Sequence, residues 1–218
     1  MSMIDAYLPA LRTINWENTT QVQLATAGLL AELAADRAAL RAAVEAISGD
    51  PHLEGLCEHY DILDKLVLHD DPESGFRIRL HLFGPDHYDR PHNHRWTYSA
   101  RLLTGSYTHT LYGTEEGFDE STGVAKLHAK MVRVEQAGDS YTLHHTMVHA
   151  AVAEPDTVSL IVRGPAVKDR FLVTDRATGR VWWQYGAAQE APEDAAAKRM
   201  TPARLNDCLH TLDKLHLI

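Results

Sequence analysis

The chain has 218 residues, 44% of them hydrophobic and 23% charged, with a formal net charge of −9; that is enough for one domain with a full hydrophobic core and helical trimmings. The acidic balance argues against a nucleic-acid partner or an anionic membrane surface, because phosphate recognition needs a basic footprint. Cys57 and Cys208 are the only cysteines and lie far apart, so neither a disulfide framework nor a cysteine metal site is suggested.

The opening residues, Met1-Ser2-Met3-Ile4-Asp5, show no charged stretch followed by an apolar run. No segment approaches the ~20 apolar residues of a membrane span, and a cytoplasmic protein is expected. Residues 20–47 read as a helix: Asn18, Thr19 and Thr20 offer cap oxygens, and Leu24, Leu30, Leu33, Leu40, Val44 and Ile47 recur at near-helical spacing. Gly49-Asp50-Pro51 stops it. From about Asp61 to Tyr185 the texture is one of short β-rich runs between turn signals, among them Asp70 to Gly75, Gly84-Pro85-Asp86, Ser121-Thr122-Gly123 and Ala137-Gly138-Asp139. Many short strands at regular spacing predict a sandwich or barrel. Beyond Tyr185 the pattern is helical again, with Thr201 as cap and Pro202 at the first helical position. The expected organisation is a single domain over 1–218: a helical segment at 1–50, a β barrel at 60–186 and a helical segment at 187–218, both packed on the β core.

Alternation assigns faces. In Phe76 to Phe83, Phe76, Ile78, Leu80 and Leu82 form the apolar set, while Arg77, Arg79 and His81 face solvent or a polar lumen; Arg77 and Arg79 are read as solvent-facing. Arg163 shares a face with Ser159 and Ile161. The 14 histidines concentrate between His52 and His149. His92 and His94, one residue apart, would point the same way from an extended strand, which is how a strand presents two metal ligands. His149 is a third candidate, read by itself equally well as a core histidine. Three neutral imidazoles leave positions open on a divalent transition metal, the condition for catalysis. His81, His109 and His128 read as polar-face strand residues, and His144 and His145 as turn residues near the site.

Pro91-His92-Asn93-His94 followed by Gly105, then Gly138 followed by His149, resembles the two motifs of the cupin superfamily. The resemblance implies an all-β core, a cupin β-sandwich or jelly-roll barrel, with flanking N-terminal and C-terminal helices. Two positions depart from it: Tyr98 stands where the family has a glutamate ligand, and His144 with Thr146 replace the proline and glycine of the second turn. A neutral three-histidine set is similar to that of the thiol dioxygenases, of which cysteine dioxygenase is the best known, and the likeness runs from roughly Tyr60 to Pro165. Those enzymes carry a serine, a histidine and a tyrosine alternating on one strand near the iron; here Ser159, Ile161 and Arg163 occupy those places. Their carboxylate-holding arginine falls near Lys65.

The resemblance therefore implies Fe(II) held by His92, His94 and His149, with O2 and a small anionic substrate, thiol-containing by likeness, as partners. Lys65, Trp96, Tyr98 and Arg163 are the candidate substrate-binding residues, and Tyr98 and Arg163 the candidates for catalysis. Tyr98 is read equally as core packing, and Arg163 equally as a salt bridge at the barrel rim. Two alternatives stand beside this: a Zn, Ni or Mn cupin isomerase, lyase or hydrolase without O2 chemistry, and a small-ligand-binding cupin that is not an enzyme.

Overall fold

A computed structural model describes residues 3–85, 89–123, 126–186 and 189–218. Met1 and Ser2, Asp86 of one turn signal and the expected boundary at 187 lie outside the described residues. After a 3-10 turn at Ile4–Ala6 come helices α1 (Leu8–Leu11), α2 (Thr19–Ala35), α3 (Arg37–Glu45) and α4 (Pro51–Leu56). The single helix expected over 20–47 is thus two. Asp36 breaks it, because its carboxylate accepts a hydrogen bond from the Ala39 N–H (2.9 Å) and caps α3 instead of continuing α2. Asn18 caps α2 through the Gln21 N–H (3.1 Å).

Among the described residues eleven strands follow: β1 (Glu58–His59), β2 (Leu63–Asp70), β3 (Arg77–Phe83), β4 (Tyr98–Thr104), β5 (Ser106–Thr114), β6 (Met131–Gln136), β7 (Ser140–Leu143), β8 (Met147–Ala153), β9 (Val158–Arg163), β10 (Arg170–Thr174) and β11 (Val181–Tyr185). Helices α5 (Pro192–Ala197) and α6 (Pro202–Lys214) end the chain. Thr201 caps α6 by accepting from the Arg204 N–H (3.1 Å), with Pro202 in the first turn as expected.

The strands pair antiparallel in one sheet of order β1-β2-β3-β9-β4-β7, another of order β6-β5-β8, and a β10-β11 hairpin. Between β4 and β9 the chain crosses repeatedly from one sheet to the other, β5, β6 and β8 lying in the smaller and β7 in the larger, as in a jelly roll. The two faces of the large sheet differ in chemistry. Leu66, Ile78, Leu80, Leu160 and Val162 point outward and pack with Leu29, Leu33 and Leu40 of α2 and α3 and with Leu205 and Leu212 of α6. The inward face joins Tyr98, Ala100, Tyr141 and Ile161 to Tyr107 and Ala153 of the small sheet.

Cross-strand register shows what else points inward. Glu58, Lys65, His81, Ser159 and Leu102 stand in one row, Arg79, Ile161, Ala100 and Tyr141 in the next, and Arg77, Arg163, Tyr98 and Leu143 in a third. Directly paired residues share a face, so the polar set of β3 lines a polar lumen. Gly105 makes the turn from β4 to β5 with φ of 72°, and a Cβ there would lie 2.3 Å from Thr157 Oγ1; only glycine meets both demands. At the end of β9, Trp16 lies flat against Gly164, where a Cβ would come within 2.4 Å of the indole Cδ2.

Candidate metal centre

His92, His94 and His149 converge: one ring nitrogen of each lies within 4.8 Å of the other two. The local geometry differs from a plain strand. His92 pairs through isolated bridges with His149 and with Val173, and His94 lies past it in irregular backbone before a bend at Arg95 and Trp96. The His92 N–H donates to the His149 carbonyl (2.8 Å) and the His149 N–H returns to that of His92 (2.9 Å), so two of the three candidate ligands are held by one another's backbone. Asn93, between the histidines, is buried pointing the other way. Its amide donates to Glu115 (2.5 Å) and its carbonyl accepts from the Leu172 N–H (2.9 Å), which leaves both imidazoles turned inward.

Hydrogen bonds set the tautomers. His92 Nδ1 donates to the Arg90 carbonyl (2.7 Å), leaving Nε2 as a free lone pair. His149 Nδ1 meets His109 Nε2 at 2.9 Å, and His109 Nδ1 meets Glu135 Oε1 at 3.0 Å. Because the carboxylate can only accept, the proton order runs from His109 Nδ1 to Glu135 and from His149 Nδ1 to His109 Nε2, and His149 Nε2 is left bare. Arg133 closes the far end by an ion pair with Glu135. His109 and Glu135 are 1% and 4% exposed. Burial is the first cause that pushes all three candidate ligands down, His92 to about 4 and His94 and His149 well below the usual imidazole range, and Lys65 adds to it at His92 and His94. They are neutral at pH 7, the form a metal requires.

The donor set fits a divalent transition ion. His94 Nε2 and His149 Nε2 are 2.7 Å apart, whereas nitrogens bound to one metal at ~2.1 Å stand roughly 3 Å apart, so a small parting of the rings admits the ion. His94 also lies edge-on to Tyr98, with ring centroids 4.9 Å apart.

Of the substrate-binding candidates, Tyr98 is beside the histidines and Trp96 a step further, its ring 6.2 Å from His94. The Tyr98 hydroxyl reaches that of Tyr141 at 3.4 Å, and the Tyr107 hydroxyl donates to Tyr141 at 2.7 Å. Burial first, then Tyr141, holds the Tyr98 phenol well above 10, so it is a donor and not a base. Arg163 faces inward, but its Nη1 already donates to the Gly75 and Gly164 carbonyls (2.7 and 2.8 Å) and its guanidinium lies 5.0 Å from the Trp96 ring.

The reading of Arg79 as solvent-facing is corrected: it is buried, 5.5 Å from Trp96, with an Nε that has no hydrogen-bond partner among the described residues. The alternation of β3 left two faces to choose from, and the outer one is taken by leucine and isoleucine under the helices. Lys65 stands 3.7 Å from Glu58 and 4.2 Å over the Tyr60 ring. Burial, opposed by Glu58, pushes its amine down to about 8. Burial would raise the Glu58 carboxyl, yet Lys65, Arg79 and Lys198 hold it at about 2.

His109, Glu135, Tyr141 and Arg79 are the residues that sequence reasoning did not assign to the site. The alternation of Tyr107, His109 and Leu111 along β5 was the available signal for His109. His128, read as a strand residue, is exposed and outside the strands. His144 and His145 do not join the three histidines; they meet Glu17 instead. A surface groove of about 430 Å³ runs past Tyr60, Trp182, Trp183, Glu190 and Lys198 and is not lined by any of the three histidines.

No protein-family model matches the chain, and no curated protein is similar to it in sequence. Among solved structures it is similar to KdgF from a Halomonas species (18% identity, 49% of this chain and 82% of that one, TM-score 0.37). It is likewise similar to an RmlC-like cupin from Shewanella frigidimarina (16% identity, 51% and 86%, TM-score 0.37) and to the DMSP lyase DddQ from Ruegeria pomeroyi (13% identity, 51% and 51%, TM-score 0.38).

Proposed function

We propose that the chain is a cupin-type enzyme that holds Fe(II) through His92, His94 and His149 and acts with O2 on a small anionic substrate in the lumen beside it. The observation that carries the reading is the convergence of three neutral imidazoles, His149 buried and His92 and His94 half-buried, two of the three with the tautomer a metal ligand needs. When bound, such an ion supplies a path for electrons between a coordinated substrate and O2.

The chain's own residues do the rest. Lys65, Arg79 and Arg163 make the lumen cationic, with Glu58 paired to Lys65, so a substrate carboxylate is drawn to this wall. Tyr98 keeps its proton and offers an O–H beside His94. Tyr107, Tyr141 and Ile161 exclude water. The resemblance to thiol dioxygenases makes thiol acids the first compounds to offer. One observation favours a second reading: the inward face of β9 carries Ser159, Ile161 and Arg163 and no tyrosine, which suits a Zn, Ni or Mn lyase, isomerase or hydrolase equally.

The test is anaerobic loading with Fe(II) followed by O2-uptake measurements over a panel of thiol acids and small carboxylates. The expected result is uptake with at least one of them, abolished in His94→Ala. Turnover of the same panel under Zn without O2 consumption would establish the second reading in its place.

A further inference from the structure

A second group of metal-ligating side chains lies outside this centre. Glu17 Oε2 is 3.2 Å from His144 Nε2 and 3.2 Å from His145 Nε2, so two imidazoles and a carboxylate converge at one point. We propose that Glu17, His144 and His145 form a second divalent-metal site, of the class that takes Zn2+, which ties the N-terminal helical segment to the turn between β7 and β8.

Each ligand is placed by structure that does not depend on the others. Glu17 follows Trp16, whose ring is seated on Gly164, and its own N–H donates to Asn15 Oδ1 (3.1 Å). The turn is pinned at His145, whose N–H donates to Thr97 Oγ1 (3.3 Å) and whose carbonyl accepts from the His94 N–H (3.3 Å) and Lys168 Nζ (3.2 Å). The two rings lie with centroids 4.2 Å apart, tilted by 36°, and present the same nitrogen to Glu17. His144 Nδ1 accepts from the Thr146 N–H (3.4 Å) and lies 2.8 Å from Thr146 Oγ1, contacts that fix the ring with its Nε2 turned to Glu17.

The spacing suits an ion. Ligands ~2.0–2.1 Å from a tetrahedral metal stand about 3.3 Å from one another, close to the 3.2 Å seen from the carboxylate oxygen to each ring. Two imidazoles and one carboxylate also match the nitrogen and oxygen preference of zinc. Glu17 is 55% exposed and His144 24%, while His145 is 12% exposed, so the open coordination position faces water and the site can be reached from outside. Glu17 and His144 are 127 residues apart, and an ion here closes a long loop between the helical layer and the barrel.

The experiment is equilibrium dialysis of chelator-stripped full-length protein against Zn2+, with metal content measured per chain, for the parent, Glu17→Gln, the double variant Glu17→Gln/His144→Ala, and His92→Ala/His94→Ala. The site predicts that Glu17→Gln weakens one class of bound Zn2+ by tenfold or more and that the double variant loses one equivalent. It further predicts that His92→Ala/His94→Ala retains an equivalent that disappears when Glu17→Gln is added. Parent-like stoichiometry and affinity in the Glu17→Gln/His144→Ala protein overturns it. Glu17 and His144 are surface residues, so that comparison decides the matter even where His92→Ala/His94→Ala does not fold. Failure of the O2 reaction with an intact second equivalent would count against the proposed function and leave this site standing.

Discussion

His109 Nε2 lies 2.9 Å from His149 Nδ1, and both residues are buried. Through that contact the charge of Glu135 reaches a ring whose other nitrogen faces His92 and His94. An imidazole that donates to a partner with carboxylate character behind it is oriented and made a better base for a metal.

Glu135→Gln keeps the shape of this chain and removes its charge, and His109→Leu removes the acceptor. Each is expected to weaken binding of a divalent metal at the three-histidine centre by roughly 10–100-fold, read by competition with a chromophoric chelator. An unchanged dissociation constant in both would show that His149 needs no support from His109.

Lys65 gives a pH dependence with a definite sign. Its amine, pushed down to about 8, is charged below that pH and neutral above it. The Michaelis constant for an anionic substrate is therefore expected to be flat from pH 6 to 7.5 and to climb above about 8 as the attraction is lost. Lys65→Arg, which stays charged, removes the climb; a profile identical to the parent would assign the upturn to another group.

Arg163 and Arg79 separate two roles that share one wall. Arg163→Leu leaves the Gly75 and Gly164 carbonyls without their donor and is expected to cost about 1–3 kcal/mol in urea unfolding, together with a Michaelis constant raised more than turnover is lowered. Arg79→Leu, whose Nε has no hydrogen-bond partner among the described residues, is expected to raise the Michaelis constant. Equal kinetic behaviour of Arg79→Leu and the parent removes Arg79 from substrate binding.

Gly105→Ala puts a methyl group against Thr157 at a positive φ. The expected cost is roughly 2–4 kcal/mol, seen as a lower urea midpoint with an unchanged slope.

Part of the site was legible in motif spacing and, on β9, in the two-residue period of strands. His92, His94 and His149 converge although His92 makes only isolated bridges and His94 sits in irregular backbone, whereas Arg163 faces inward with Ile161 as alternation has it. Other positions depend on which face of a sheet is covered, and alternation alone cannot state that. Arg79 is the clear example: the period gives it a side, but only the helices packed over Ile78 and Leu80 decide that this side is the interior. The break at Asp36 was hidden for a different reason, since apolar spacing continues through it while the cap works by a single side-chain hydrogen bond. Glu135 and Glu17 come from segments remote in sequence from the histidines they meet, and no local pattern announces such a meeting.

The large sheet is, in effect, inside out. A free-standing antiparallel sheet shows its polar side to water, but this one encloses Lys65, Arg79, His81 and Arg163 and turns Ile78, Leu80, Leu160 and Val162 toward its own exterior. Its charged interior and its helical jacket are therefore one design: the strands could not keep their ionic side dry unless something greasy were wrapped around the other. A barrel trimmed of α2 and α3 should accordingly behave as an adhesive plate that associates through its back, not as a minimal catalyst.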